Sequence, residues 1–223
     1  MEQRSFEWFS SRLGYFSGSE VGKLMVGSRK KDEIFGDTAI SYIMKKMGER
    51  NLIDEVKNDE EVFNEYQFVN SSTSKAMQFG IDNEPLARKL IMKELGETFE
   101  EVASISHPSI PWFSSSPDGL SSDKLLALEI KCPSIDTFMR YKCFVNDNES
   151  LKKENNIYYW QAMAHMAVTG ALRCCFVIFN PFLKNPLHYF FIKRDDMEIE
   201  TLENRVTEAN TFIDYITHKD EQH

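Results

Sequence analysis

The chain has 223 residues, a composition ordinary for a folded domain and a formal net charge of −9. No apolar run approaches the ~20 residues that span a bilayer, and residues Met1 to Ser5 carry no signal-peptide core. The acid excess argues against a general nucleic-acid binder. It is, however, segregated: residues 195–223 hold nine acids and two bases, residues 54–65 hold six acids and one base, and the remainder is net positive. A polyanion can therefore approach part of the chain. Cys132, Cys143, Cys174 and Cys175 form no C-x-x-C pair and read as free buried thiols in a reducing, cytoplasmic setting. The expectation is one domain over 1–223, with 51–74 as a variable acidic insertion and 195–223 as an acidic C-terminal helix.

Phe6 to Leu13 has helical spacing and is stopped by Gly14. Ser17, Gly18 and Ser19 read as the N-cap region of a second helix, Glu20 to Met25, with Arg12 just before the turn. Free N–H groups beside an arginine suit a phosphate; taken alone, these residues more commonly mean an ordinary cap and a surface arginine. The loop that follows carries Arg29, Lys30 and Lys31. Asp37 to Met47 reads as a helix capped by Asp37 and Thr38, and 51–74 as partly helical around Glu60 to Phe68. Lys75 to Leu95 has the clearest helical stripe, with Ile81, Leu86, Leu90 and Ile91, Gly80 as an interruption, Glu84 near the stripe and Gly96 as the stop.

Glu100 to Pro108 and Trp112 to Ser114 read as short strands of a sheet continuing through Leu125 to Lys131. Asp136 to Phe144 follows as a helix and Val145 to Asn156 as a polar loop. Ile157 to Thr169 is a helix apolar nearly all round, with Gln161 as its polar exception, and should be buried. Arg173 to Phe179 and Leu187 to Arg194 form a hairpin-like pair, and Met197 to Ile216 a final amphipathic helix. The pattern predicts an α/β (α+β) fold with a central mixed β-sheet flanked by helices.

The chemistry concentrates between Ser114 and Pro133. Pro117, Asp118 and Gly119 give turn chemistry, and the apolar strand after them carries Glu129 and Lys131. Residues i and i+2 share one face of a strand, and burying such charges is costly unless they pair or hold a metal. Two converging carboxylates can hold Mg²⁺, and a lysine beside them can orient or deprotonate a water, or stabilise developing charge. A surface Glu–Lys pair is the plain alternative; the apolar Leu128, Ile130 and Cys132 alternating with them fit it poorly.

Ser-Pro-Asp-Gly-Leu (116–120) followed by Leu-Glu-Ile-Lys-Cys-Pro (128–133) resembles the phage lambda exonuclease and YqaJ-type viral recombinase family, within the PD-(D/E)xK nuclease superfamily. So do Trp8…Arg12-Leu-Gly14…Ser17-Gly-Ser19, Phe79-Gly80…Glu84…Ala87 and Tyr158-x-x-Gln161…Met166-x-Val-Thr-Gly170, in the family's order. The resemblance implies a restriction-endonuclease-like core and a Mg²⁺-dependent 5′→3′ exonuclease on duplex DNA. Such an enzyme leaves 3′ single-stranded overhangs for phage-type recombination, in a bacterial cell or encoded by a phage or prophage. It implies that Asp118, Glu129 and the backbone carbonyl of Ile130 hold the metal with help from Glu84, that Mn²⁺ substitutes, and that two ions bind. Lys131 would serve the attacking water and Gln161 would sit beside the reacting phosphate. Arg12, Ser17 and Ser19 would grip the 5′-phosphate. Met77 falls where relatives place a duplex wedge, and an ordinary core methionine is as good a reading. The family's members form homotrimeric rings around DNA and work with a single-strand annealing protein; no membrane is involved. Met163 stands where relatives often carry a second glutamine, and Ser17-Gly18 replaces a Thr-Ala-like pair. The alternatives are a related PD-(D/E)xK endonuclease or single-strand nuclease, or a non-catalytic DNA-binding recombination module. An iron–sulfur relative is set aside because Cys132 and Cys143 are too central.

Overall fold

The computed structural model describes residues 3–28, 33–70 and 74–220. Its five-stranded mixed sheet runs in the order β2 (Phe99–Glu100), β5 (Gly119–Ser121), β6 (Leu126–Lys131), β7 (Arg173–Phe179) and β8 (Leu187–Lys193). β6 is antiparallel to β5 and parallel to β7, with Glu129 opposite Phe176. β7 and β8 form the expected antiparallel pair. A second, three-stranded sheet places β4 (Phe113–Ser115) between β1 (Phe16–Ser17), parallel to it, and β3 (Ile105–Ser106), antiparallel. The strand region read as one continuing sheet is thus divided: β2 joins the large sheet, β3 and β4 the small one. Strands of two or three residues carry no period from which that division could be read.

The helices are α1 (Phe6–Ser10), α2 (Asp37–Arg50), α3 (Asp54–Asn58), α4 (Glu60–Asn70), α5 (Lys75–Leu95), α6 (Ile135–Phe144), α7 (Asn148–Glu154), α8 (Asn156–Thr169) and α9 (Asp196–Asp220). α5 and α8 cover the two faces of β6. Leu126, Leu128 and Ile130 pack with Ala87 and Ile91 of α5, whereas Ala127 joins the core that holds Ala162, Met163 and Met166 of α8. Strand alternation therefore sends Glu129 and Lys131 toward α8.

Several local expectations change. The helix expected at Glu20 to Met25 is a single 3-10 turn, Val21–Lys23, without a side-chain cap. Ser17 is instead committed to β1, and the Gly18 N–H donates to the Ser114 carbonyl at 2.9 Å, so the chain turns off a strand rather than entering an α-helix. Gly36 precedes α2 at the N-cap position and offers no side-chain cap, and Asp37 lies in the first turn, where its charge suits the dipole. α5 runs through Gly80 without a break, and Leu86 is exposed; Glu84, Ala87 and Ile91 make its buried edge. The polar stretch after Val145 contains α7, started by a capping box between Asp147 and Ser150. Residues 54–70 pack back on the N-terminal segment, Val56 and Phe63 clustering with Leu13 and Phe6. Of the four cysteines, all free, Cys143 is exposed and Cys132 half-buried. Arg29, Lys30 and Lys31 lie outside the described residues. Among the described residues no helix is long and apolar enough to cross a membrane.

Candidate active site

Asp118 stands at the mouth of β5 and is pinned against β6 twice. Its N–H donates to the Leu128 carbonyl at 2.9 Å, and its Oδ2 accepts from the Ile130 N–H at 2.7 Å. This brackets Glu129 and brings the two carboxyls side by side. Gly119, next in the chain, has no room for a side chain: a Cβ there would lie 2.8 Å from the Cβ of Phe99. The far end of β6 is held by Asn180, whose Nδ2 donates to the Pro133 carbonyl at 2.9 Å.

Glu129 is 2% exposed, and both its oxygens are engaged. Lys131 Nζ lies 2.5 Å from Oε1, and His165 Nε2 lies 2.7 Å from Oε2. Burial alone would raise the Glu129 carboxyl, but the Lys131 charge and the His165 hydrogen bond outweigh it and hold it below the usual range. Asp118 goes the other way: burial and the charges of Glu129 and Glu84 push its carboxyl well above the usual range, only partly offset by Lys131 and the Ile130 N–H. Lys131 is desolvated, yet Glu129, Tyr158 and Asp118 together raise its ammonium above the ordinary value, and it sits 4.7 Å over the Tyr158 ring. Burial and the charges of Glu84 and Asp118 push the Cys132 thiol up to about 12, which disfavours its thiolate.

Glu84 reaches the cluster from α5, but its own oxygens are taken: Arg88 Nη2 lies 2.9 Å from Oε1, and Arg4 pairs with Oε2. Gln161 lies on α8 between Tyr158, three residues before it, and His165, four after, and therefore on the face that meets Lys131 and Glu129. His165 was not singled out in the sequence. Its signal was available: it is a second polar residue on an otherwise apolar buried helix, one turn beyond Gln161.

The donors facing a cation here are oxygens, and the buried negative charge that raises Asp118 is what a hard divalent ion offsets. Among the described residues no three His, Cys, Asp or Glu side chains are gathered closely enough to ligate one ion. The residues fit a hard divalent ion that Asp118 and Glu129 would hold in part and water would complete, a manner of binding common for Mg²⁺.

A second feature lies at the N-terminal turn. The Arg12 guanidinium stacks 3.9 Å over the Trp8 ring and makes no ion pair with a described residue. Burial brings it down to about 10 against the pull of Tyr42, Glu20 and Glu49. The Tyr42 hydroxyl also accepts from the Ser17 N–H at 3.0 Å, and the hydroxyls of Ser17 and Ser19 lie 3.3 Å apart. Met77, in the first turn of α5, is exposed rather than part of the core.

A mixed sheet flanked by helices, with Pro-Asp at a turn and Glu-x-Lys on the neighbouring central strand, is the core arrangement of the PD-(D/E)xK nucleases. Within that class the chain belongs to the YqaJ-like viral recombinase domain family, whose model matches residues 7–172. It is similar over 98% of its length, at 28% identity and a TM-score of 0.74, to the alkaline exonuclease LHK-Exo of Laribacter hongkongensis, 99% of which is covered. The same figures hold for LHK-Exo solved in complex with dAMP. A phage-related exonuclease of Haemophilus somnus 129PT shares the fold at 14% identity, with a TM-score of 0.68 over 92% of this chain and 96% of that one. Comparison with curated proteins gives no match.

Proposed function

We propose that the protein is a Mg²⁺-dependent 5′→3′ exonuclease on double-stranded DNA that leaves a 3′ single strand for recombination. The enzyme class rests on the family and on the likeness to LHK-Exo: the protein is a deoxyribonuclease. The observation that carries the finer reading is the convergence of Asp118 and Glu129 beside a half-buried Lys131 whose Nζ lies 2.5 Å from Glu129 Oε1.

Asp118, Glu129 and the Ile130 carbonyl would hold the ion, which makes a bound water acidic and offsets charge on the phosphate. Mn²⁺, also an oxygen-seeking ion, would substitute. A second ion would need Glu84, whose oxygens Arg4 and Arg88 hold. Lys131, whose Nζ lies 2.5 Å from Glu129 Oε1, would donate to the attacking water or to a phosphate oxygen and steady the charge that develops. Gln161, on the same face of α8, orients the phosphate. Arg12, desolvated and without an anionic partner, offers a fork of donors to a 5′-phosphate, with Ser17 and Ser19 adding hydroxyls. The working assembly is a ring of three chains around the duplex, acting with a single-strand annealing protein.

The test is a time course on end-labelled linear and circular duplex, with and without Mg²⁺, on 5′-phosphate and 5′-hydroxyl ends. Linear 5′-phosphorylated DNA should be digested from the 5′ end and circular DNA spared, and chelation should stop the reaction. Arg12→Ala should erase the preference for the phosphate. Cutting of the circle would make the protein an endonuclease instead, and equal rates on both ends would remove the pocket. Light scattering on the same preparation tests the ring.

A further inference from the structure

We propose that His165 is a positioning residue for Glu129, and that Ser115 holds His165 in the orientation this requires. The proposal rests on the reading of Glu129 as a metal ligand. His165 is 1% exposed and both its ring nitrogens are used: Nε2 lies 2.7 Å from Glu129 Oε2, and Nδ1 lies 2.8 Å from Ser115 Oγ. An ionised carboxylate only accepts, so the proton on the Glu129 side belongs to Nε2. In the neutral ring Nδ1 is then the acceptor and the Ser115 hydroxyl the donor. The line of hydrogen bonds thus has one direction, from Ser115 through the ring to Glu129, and turning the ring over breaks both ends of it.

With Lys131 on Oε1 and His165 on Oε2, the Glu129 carboxylate is fixed from two sides. Its remaining lone pairs keep one direction instead of sweeping with the side-chain torsion. A residue needed only to fill space at 165 would be apolar, as Ala164 and Met166 beside it are. An imidazole enclosed here has to satisfy both nitrogens or lose stability, and one of its two partners is the candidate ligand itself.

Ser115 is equally constrained. It pairs with Ile105 across β3 and β4, and the Gly18 backbone closes over its hydroxyl. A Cβ on residue 18 would stand 2.0 Å from Ser115 Oγ and 3.4 Å from the Ala164 Cβ. A side chain at 18 would therefore displace the Ser115 hydroxyl from His165, and the line of support runs Gly18, Ser115, His165, Glu129. It begins in the turn that carries Ser17 and Ser19 and ends at the site.

The experiment uses the full chain as wild type, His165→Ala, His165→Gln and Ser115→Ala. Mn²⁺ binding is titrated calorimetrically without DNA, and the Mg²⁺ dependence of cleavage, kcat and KM for duplex are measured beside it. Partners that orient a metal ligand are typically worth about 10–100-fold in metal affinity or activity. His165→Ala should weaken Mn²⁺ binding by that amount and raise the half-saturating Mg²⁺ to match, with KM for DNA unchanged at saturating metal. His165→Gln, whose amide N–H reaches the place of Nε2–H, should recover most of the affinity. Ser115→Ala should lie between. Folded His165→Ala with wild-type Mn²⁺ affinity overturns the proposal. If that variant does not fold, unchanged affinity in Ser115→Ala, or loss in His165→Gln as complete as in a misfolded site, overturns it instead. A wild-type protein that binds no Mn²⁺ overturns the metal reading and this proposal with it. Metal-dependent wild-type cleavage with unaffected variants overturns this proposal alone.

Discussion

Lys131 and Asp118 sit in the same small volume, and opposite things follow from changing them. Lys131 contributes positive charge next to Glu129, and its ammonium is raised because Glu129, Tyr158 and Asp118 stabilise it against burial. Lys131→Ala should lower the cleavage rate by at least ~10²–10³-fold, the range for removing one preorganised donor from a reacting oxygen. DNA binding, measured by anisotropy in Ca²⁺, should persist; near-wild-type cleavage would remove Lys131 from the site. Asp118 is the strained member, a carboxyl pushed up by burial and by Glu129 and Glu84. A carboxyl raised in the folded state takes up protons on folding, so metal-free stability falls as pH rises from the ordinary carboxylate range toward the raised value. Asp118→Asn keeps an oxygen for the Ile130 N–H and removes the charge. Without metal at pH 8 it should melt a few degrees above wild type, and the gap should narrow as pH falls. Added Mg²⁺ should reverse the order, because only wild type gains stability from the ion. A wild-type protein that is the more stable of the two without metal would contradict this account of Asp118.

At the scale of elements, the N-terminal turn depends on a layer the sequence presents as an acidic insertion. Phe63 of α4 is buried, with its ring 5.3 Å from Phe6 and 6.4 Å from Phe9 of α1. α1 carries Trp8, and Arg12 stacks on Trp8. Phe63→Ala should cost about 3 kcal/mol, the lower part of the range for a buried Phe, by denaturant unfolding. It should reduce the 5′-phosphate preference more than the rate on 5′-hydroxyl ends. Equal loss on both ends would mean that α4 supports only general stability. Much of this layout was legible beforehand where an element is long and capped. α5 runs from Lys75 to Leu95 as its stripe predicts, since Ser74 caps one end and Gly96, at φ +63°, closes the other. α8 ends at Gly170 for the same reason. α7 was not legible because only Leu151 of its seven residues is buried, which leaves no stripe to see. Asp118, Glu129 and Lys131 could be read as a group because a turn and the two-residue period of a strand place them together. His165 could not be tied to them: it meets Glu129 across 36 residues of sequence and Ser115 across 50, through contacts between elements that no local pattern encodes.

For the whole molecule, the division of charge decides which surface DNA can meet. α9 packs on α8 and α2 through Ile199, Leu202, Val206, Ala209 and Ile213, and leaves Glu200, Glu208 and Asp214 exposed. Glu208 is partnered by Arg205 on the helix itself, at 3.1 Å, so Glu200 and Asp214 are the better probes of the outer face. A duplex lying along that face would meet repulsion, whereas a duplex entering at Arg12 and Lys131 meets cations that burial has left short of solvent. Binding strength falls with salt in proportion to the phosphates neutralised, at about 0.9 in log–log slope per contact on duplex DNA. Glu200→Gln combined with Asp214→Asn should therefore leave that slope unchanged, measured by anisotropy on a 5′-phosphorylated duplex in Ca²⁺ over a series of salt concentrations. Arg12→Ala should make the slope shallower by roughly one contact, about 0.9. If neutralising α9 steepens the slope by as much as Arg12→Ala flattens it, the acidic helix borders the DNA path, and the entry route through the N-terminal turn is wrong.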